Sequence, residues 1–223
     1  MTKKANSSST YTHLSNLRVG TEDGGGNIAV PGTSGTGVKI GVGDDADLAF
    51  GWRDITGPIE TRGLGATDPD WAAIGGSVMS AFKFSLNDTC WIPFHIPHDY
   101  APGTDVHFHV HWLSDGTDTT NTVKWQFDYM FAKGFGQEAY PIASLPTAVT
   151  AEQASAGQYY GMVTETAAVT IDLEVDGILY VKVTRITNGA TDNSDGIFVL
   201  TSDVHYQSTN MTTPNKAPNF YNT

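Results

Sequence analysis

The sequence predicts an all-β protein, an antiparallel jelly-roll-like β-sandwich with extended N-terminal and C-terminal arms. Three observations carry that prediction. Apolar side chains recur at every second position in one segment after another between Trp52 and Tyr206, the spacing that puts alternate residues on opposite faces of a strand. Clusters of Gly, Pro, Asn and Asp separate those segments, as turns require. A chain of 223 residues is also the size at which one sandwich forms a single core.

Taken in order, residues 1–50 read as an N-terminal arm. Ser and Thr dominate its start, and Gly24, Gly25, Gly26, Gly32, Gly35, Gly37, Gly41 and Gly43 interrupt the rest, so it lacks the apolar content for a core of its own. Only Val38, Ile40 and Val42, alternating with Lys39, Gly41 and Gly43, suggest an ordered stretch there. Residues 51–206 form the expected sandwich body. In Val78–Leu86 the positions Val78, Phe82, Phe84 and Leu86 share a face. In Asp105–Leu113, Val106, Phe108, Val110 and Trp112 share one face, and His107, His109 and His111 share the other. Thr122–Phe131 alternates most strictly, with Val123, Trp125, Phe127, Tyr129 and Phe131 set against Lys124, Gln126 and Asp128. Thr147–Gly157, rich in Ala, offers one or two helical turns as an alternative. Val169–Val175 and Ile178–Ile186 read as strands joined at Asp176-Gly177, a hairpin signal. Ile197–Tyr206 places Phe198, Leu200, Val204 and Tyr206 on one side. Residues 207–223 form a C-terminal tail, whose Phe220 and Tyr221 are expected as anchors in a partner's groove.

Charge and motif content exclude several functions. With 12 Lys and Arg against 24 Asp and Glu, a net charge of -12 repels a phosphate backbone, so no nucleic-acid partner is expected. No apolar run reaches the roughly 20 residues of a membrane span, and no apolar leader follows Lys3-Lys4, so no membrane association and no export are expected. The glycines match neither the dinucleotide fingerprint nor the P-loop, and no Gly-x-Ser-x-Gly elbow occurs. No cofactor is expected. Cys90 reads as a buried, inert thiol, and Asp44, Asp45 and Asp47 as a solvated acidic turn without the spacing of a calcium loop. Of the five tryptophans, Trp112 and Trp125 fall on apolar faces and read as core, which argues against a sugar-stacking role for them.

The segment His107-Phe108-His109-Val110-His111 is the most suggestive chemically, because residues two apart on a strand lie on one face about 6 to 7 Å apart. Two such imidazoles can converge on a metal, with His98, Asp115 or His205 as a third ligand if the fold brings one near. Gly103 followed by His109 and His111 resembles part of the cupin signature. The glycine expected after the acid and the later Pro-x-Gly-x-x-His segment are missing. The competing expectation is a polar face, either solvated or stacked at a subunit contact.

Several short motifs occur in order: Gly51-Trp52-Arg53-Asp54-Ile55, Pro97-His98-Asp99-Tyr100, His109-Val110-His111-Trp112, the strand with Trp125 and Tyr129, and Asp203-Val204-His205-Tyr206. Together they resemble tailed-bacteriophage virion structural proteins over residues 50–206. That resemblance implies a non-enzymatic β-sandwich component of the virion, made in the host cytoplasm, with no catalytic residues. The leading expectation is a capsid decoration or cement protein that binds the major capsid protein or another virion protein, as a homotrimer with His107, His109 and His111 at a subunit contact. A tail or receptor-binding component is the rival within that class. From another class, the alternative is a cupin-like metal-dependent enzyme using His109 and His111.

Overall fold

Alternation of inward apolar and outward polar side chains builds two antiparallel sheets packed face to face. The computed structural model describes residues 51–61, 67–142, 147–209, 213 and 215–220, all within one compact unit, Lys39–Thr223. Its strands are β1 (Gly51–Thr56), β2 (Asp70–Ala73), β3 (Ser80–Phe84), β4 (Thr89–His95), β5 (His107–Ser114), β6 (Thr122–Ala132), β7 (Thr147–Ala154), β8 (Met162–Glu165), β9 (Ile178–Ile186) and β10 (Ile197–Ser208). One sheet has six strands in the order β2-β3-β10-β5-β8, with β1 also paired to β10; the other runs β4-β9-β6-β7. The long strand β10 carries β3 along Ile197–Val199 and β1 along Asp203–Ser208, while its other edge pairs with β5. The expected jelly-roll-like sandwich is therefore the fold of the body. The N-terminal arm, with Val38–Phe50 and the Asp44, Asp45 and Asp47 group, lies outside the described residues.

The inner faces meet through aromatic rings. Phe84 of one sheet packs edge-on against Trp125 of the other with centroids 5.5 Å apart, and Phe108 stacks on Phe127 at 5.5 Å. Trp112 and Trp125 are fully buried, as are Val110 and Phe127, and Tyr129 packs against this cluster from its margin. Burial of each such side chain contributes about 1.5 to 3 kcal/mol. Cys90 belongs to the same core, and burial pushes its thiol up to about 12.

The structure departs from the sequence expectations where a neighbour overrides local pattern. Thr147–Ala154 is strand rather than helix, because it completes the edge beside β6 in the register Trp125↔Ala151 and Phe127↔Val149. Helix propensity is too weak a preference to resist that pairing. Val169–Val175 buries Val169, Leu173 and Val175 but forms no ladder. It passes from a single bridge with Val106 beside β5 to a backbone bond with Ile96 beside β4, so it crosses between sheets. The turn at Asp176-Gly177 does form, with Asp176 at φ 60. Strand β3 is shorter than the alternation suggested, leaving Val78 and Leu86 exposed.

Strand β10 shows the largest difference. Its pairing with β5 skips Leu200, since Val199 opposes Trp112 and Thr201 opposes His111. This bulge inverts the alternation. Ile197 and Val199 point inward before it, and Ser202, Val204 and Tyr206 do so after it. Phe198 and Leu200 are therefore not on the face of Val204 and Tyr206; Phe198 lies under the Lys83 ammonium at 5.6 Å, and Leu200 is exposed. The C-terminal segment also differs from expectation. Phe220 is buried in this chain's own core cluster, edge-on to His98 at 5.9 Å and near Phe135 at 6.0 Å, so it is not an exposed anchor. Tyr221 lies outside the described residues.

Candidate functional site

The outer face of the six-stranded sheet, away from the core, carries the histidines of β5 among acids from three neighbouring strands. Antiparallel register sets Asp54 beside His205 and His205 beside His107, and in the next row Asp203 beside His109 and His109 beside Glu165. The Leu200 bulge is what turns Asp203 and His205 to this face while Ile197 and Val199 stay in the core.

His109 is the centre of the cluster and is only 2% exposed, although it faces away from the core. The His205 ring covers it with centroids 3.6 Å apart, and the His111 ring lies 6.2 Å away. Its Nε2 is 2.8 Å from Glu165 Oε2, and its Nδ1 is 3.8 Å from Asp203 Oδ1. His111 Nε2 is 3.2 Å from the same Asp203 Oδ1. Glu165 also meets His107 Nδ1 at 2.9 Å, Asp54 meets His205 Nε2 at 2.5 Å, and Trp52 packs edge-on against His107 at 5.4 Å. Burial and then the adjacent His205 hold the His109 imidazole below its ordinary value, against the opposing pull of Glu165 and Asp203. Both His109 nitrogens, His111 Nε2 and Asp203 Oδ1 are buried and make no well-aligned hydrogen bond. Three overlapping sets each bring one donor atom per residue within 4.8 Å of the others: His109, Glu165 and His205; His109, His111 and Asp203; and Asp54, Asp203 and His205.

Of the sequence candidates, His107, His109 and His111 do share a face, and His205 joins them. The expectation of a merely solvated face fails for His109, because β10 and β8 carry side chains that close over it. His98 is elsewhere: its Nε2 meets Asp176 at 3.1 Å and its Nδ1 meets Thr213 Oγ1 at 2.5 Å. Asp115 caps the loop beyond β5, accepting from the Gly196 N–H at 2.8 Å. Glu165 was not anticipated. Its strand β8 has four residues, too few for alternation to register, and its inward Thr164 is a polar group bonded to Trp112 Nε1 at 2.7 Å.

A second node lies on the inner side of the same strands. The buried Asp99 accepts from Tyr206 Oη at 2.9 Å and Ser208 Oγ at 2.6 Å, and pairs with Arg53 at 2.7 Å. It ties the turn after β4 to β10 and β1. Burial and the Asp99 carboxylate push the Tyr206 phenol above its ordinary value. Farther along the sheet, Ile74, Met79, Leu113, Tyr159 and Leu200 line an open apolar groove flanked by the fully exposed Val78. The Tyr159 hydroxyl sits where a side chain on Gly75 would begin, and Gly75 adopts φ 54, so glycine is required there.

No family model matches the chain, and no curated protein matches it. Among solved structures, the Eiger TNF from S. frugiperda is similar over 76% of this chain and 99% of that one, at 12% identity and a TM-score of 0.29, a likeness too loose to carry an argument.

Proposed function

We propose that this chain is a non-enzymatic structural protein of a tailed-bacteriophage virion, a capsid decoration or cement protein that binds the assembled head. The observation that carries the reading is where the resembling motifs meet. Arg53, Asp99 and Tyr206 form one node, and Asp54, Asp203, His205, His109 and His111 form the other. Most of the motifs that prompted the resemblance thus meet on β1, β5, β10 and the turn after β4, while Trp125 and Tyr129 lie on the opposite sheet. Support comes also from the apolar groove around Met79, Leu113 and Leu200, which gives such a protein a contact surface low in charge. The reading assigns that groove to a subunit of the shell. It also includes a homotrimer and a place in the virion after synthesis in the host cytoplasm.

Quantitative mass spectrometry of purified virions tests it. A copy number comparable with that of the major capsid protein supports decoration, a much smaller one moves the chain to the tail, and absence from the particle overturns the virion reading. The convergence of His109, His111 and Asp203 favours a second reading, the cupin-like metal-dependent enzyme. Presence as a stoichiometric virion component would count against it.

A further inference from the structure

We infer that His109 Nδ1, His111 Nε2 and Asp203 Oδ1 form a binding site for a divalent transition-metal ion of the zinc class. The inference does not depend on the virion reading. Its basis is that these three atoms are buried without hydrogen-bond partners and face one another. Leaving polar atoms unpaired inside a protein forfeits their hydration without a compensating bond. An ion that all three can ligate removes that cost.

The separations suit shared ligation of one ion. With zinc–ligand bonds of about 2.0 to 2.1 Å in a tetrahedron, neighbouring donor atoms lie about 3.3 Å apart. The distances to Asp203 Oδ1 are 3.2 Å from His111 Nε2 and 3.8 Å from His109 Nδ1, which bracket that value. One donor atom from each residue lies within 4.8 Å of the others. The alternative sets fit less well, because 2.8 Å between His109 and Glu165 and 2.5 Å between His205 and Asp54 are shorter than the separation of neighbouring donors on one tetrahedral ion.

Glu165 completes the arrangement as a positioning residue. Its carboxylate at 2.8 Å from His109 Nε2 favours the proton on that nitrogen, which leaves the Nδ1 lone pair toward Asp203. The contact lies off hydrogen-bond alignment but within ion-pair distance. Carboxylates behind ligating imidazoles fix the tautomer in this way in metal sites generally. Two imidazoles and one carboxylate select a borderline ion over the hard Mg²⁺ or Ca²⁺, which prefer all-oxygen shells.

The test uses the full chain, stripped with chelator and titrated with Zn²⁺ alone by calorimetry, then with Co²⁺ followed by visible absorption. The expected result is one ion per chain, no comparable binding of Mg²⁺ or Ca²⁺, and tetrahedral Co²⁺ bands. His111→Ala and Asp203→Asn, checked for unchanged far-ultraviolet circular dichroism, should each weaken Zn²⁺ binding by more than 100-fold, and Glu165→Gln by roughly 10- to 100-fold. X-ray absorption of the parent protein, which needs no variant, should show nitrogen and oxygen ligands at about 2.0 to 2.1 Å with scattering from two imidazoles. Absence of stoichiometric Zn²⁺ binding overturns the site. So does binding that survives in folded His111→Ala and Asp203→Asn, or an absorption spectrum without imidazole scattering.

Discussion

Replacing Asp99 by alanine tests whether the inner polar node holds β1 and the turn after β4 to β10. The carboxylate accepts two hydroxyl hydrogen bonds in a buried setting, at 2.9 Å from Tyr206 and 2.6 Å from Ser208. Hydrogen bonds to a charged group contribute about 1.5 to 3 kcal/mol each. Arg53, at 2.7 Å, adds little, because its side chain is 52% exposed and solvent screens the pair. The two hydroxyl terms share one acceptor group and do not add fully, so the expected loss is about 3 to 5 kcal/mol, the range for breaking a buried polar constellation from one side. Asp99→Asn keeps an acceptor and should lose about 1 to 2 kcal/mol. In equilibrium urea unfolding, the alanine variant should show a midpoint lower by roughly 1 to 2 M at an unchanged slope. A loss below about 1 kcal/mol for alanine, or equal losses for alanine and asparagine, would refute the argument that charge-assisted bonds at Asp99 clamp these elements.

Two further outcomes follow from the core. Trp125→Ala should cost about 3 to 5 kcal/mol in the same assay, since the indole is fully buried between Phe84 and the strands beside it; a loss under about 1 kcal/mol would remove it from the core. Cys90 should stay protonated and unreactive toward a disulfide reagent throughout the neutral range, because burial pushes the thiol up to about 12, and should react stoichiometrically only after denaturation. Rapid labelling of the native protein would contradict its burial.

What was legible in the sequence depended on how strictly each strand alternates. Strands β5 and β6 are interior strands with one face on the core, so every second residue is apolar, and Phe108, Val110, Trp112, Trp125 and Phe127 could be assigned in advance. The shared face of His107, His109 and His111 followed from the same rule. Their partners did not, because Asp203, Glu165 and Asp54 reach them only through strand order, which alternation does not encode. β7 was ambiguous since alanine carries no strong preference and its strand character comes from the exposed edge of β6. Phe220 was misplaced for a related reason: a polar tail reads as an arm whether or not it folds back, and the contact with His98 and Phe135 is non-local.

The phase of β10 is the case in which a single residue separates sequence from structure, and it yields the most specific test. Continuous alternation from Ile197 to Tyr206 cannot bury Ile197 and Val199 together with Val204 and Tyr206, because the first pair are odd and the second even. Leu200, left unpaired against β5, absorbs the difference. Deleting Leu200 therefore removes the extra residue. It joins Val199 to Thr201, which already oppose the adjacent residues Trp112 and His111, so the ladder with β5 becomes regular and Ile197, Val199, Val204 and Tyr206 all stay inward. The deletion variant should unfold cooperatively and stay within about 2 kcal/mol of the parent, short of the losses of more than about 4 kcal/mol that mark core disruption. Leu200→Ala keeps the extra residue and removes only a side chain that is 48% exposed, so it should cost about 1 kcal/mol or less. Calorimetric unfolding of the two variants beside the parent gives the comparison. A deletion variant that loses cooperative unfolding, or more than about 4 kcal/mol, would mean that Leu200 is not simply the extra residue and that the register with β5 does not by itself decide which residues reach the histidine face.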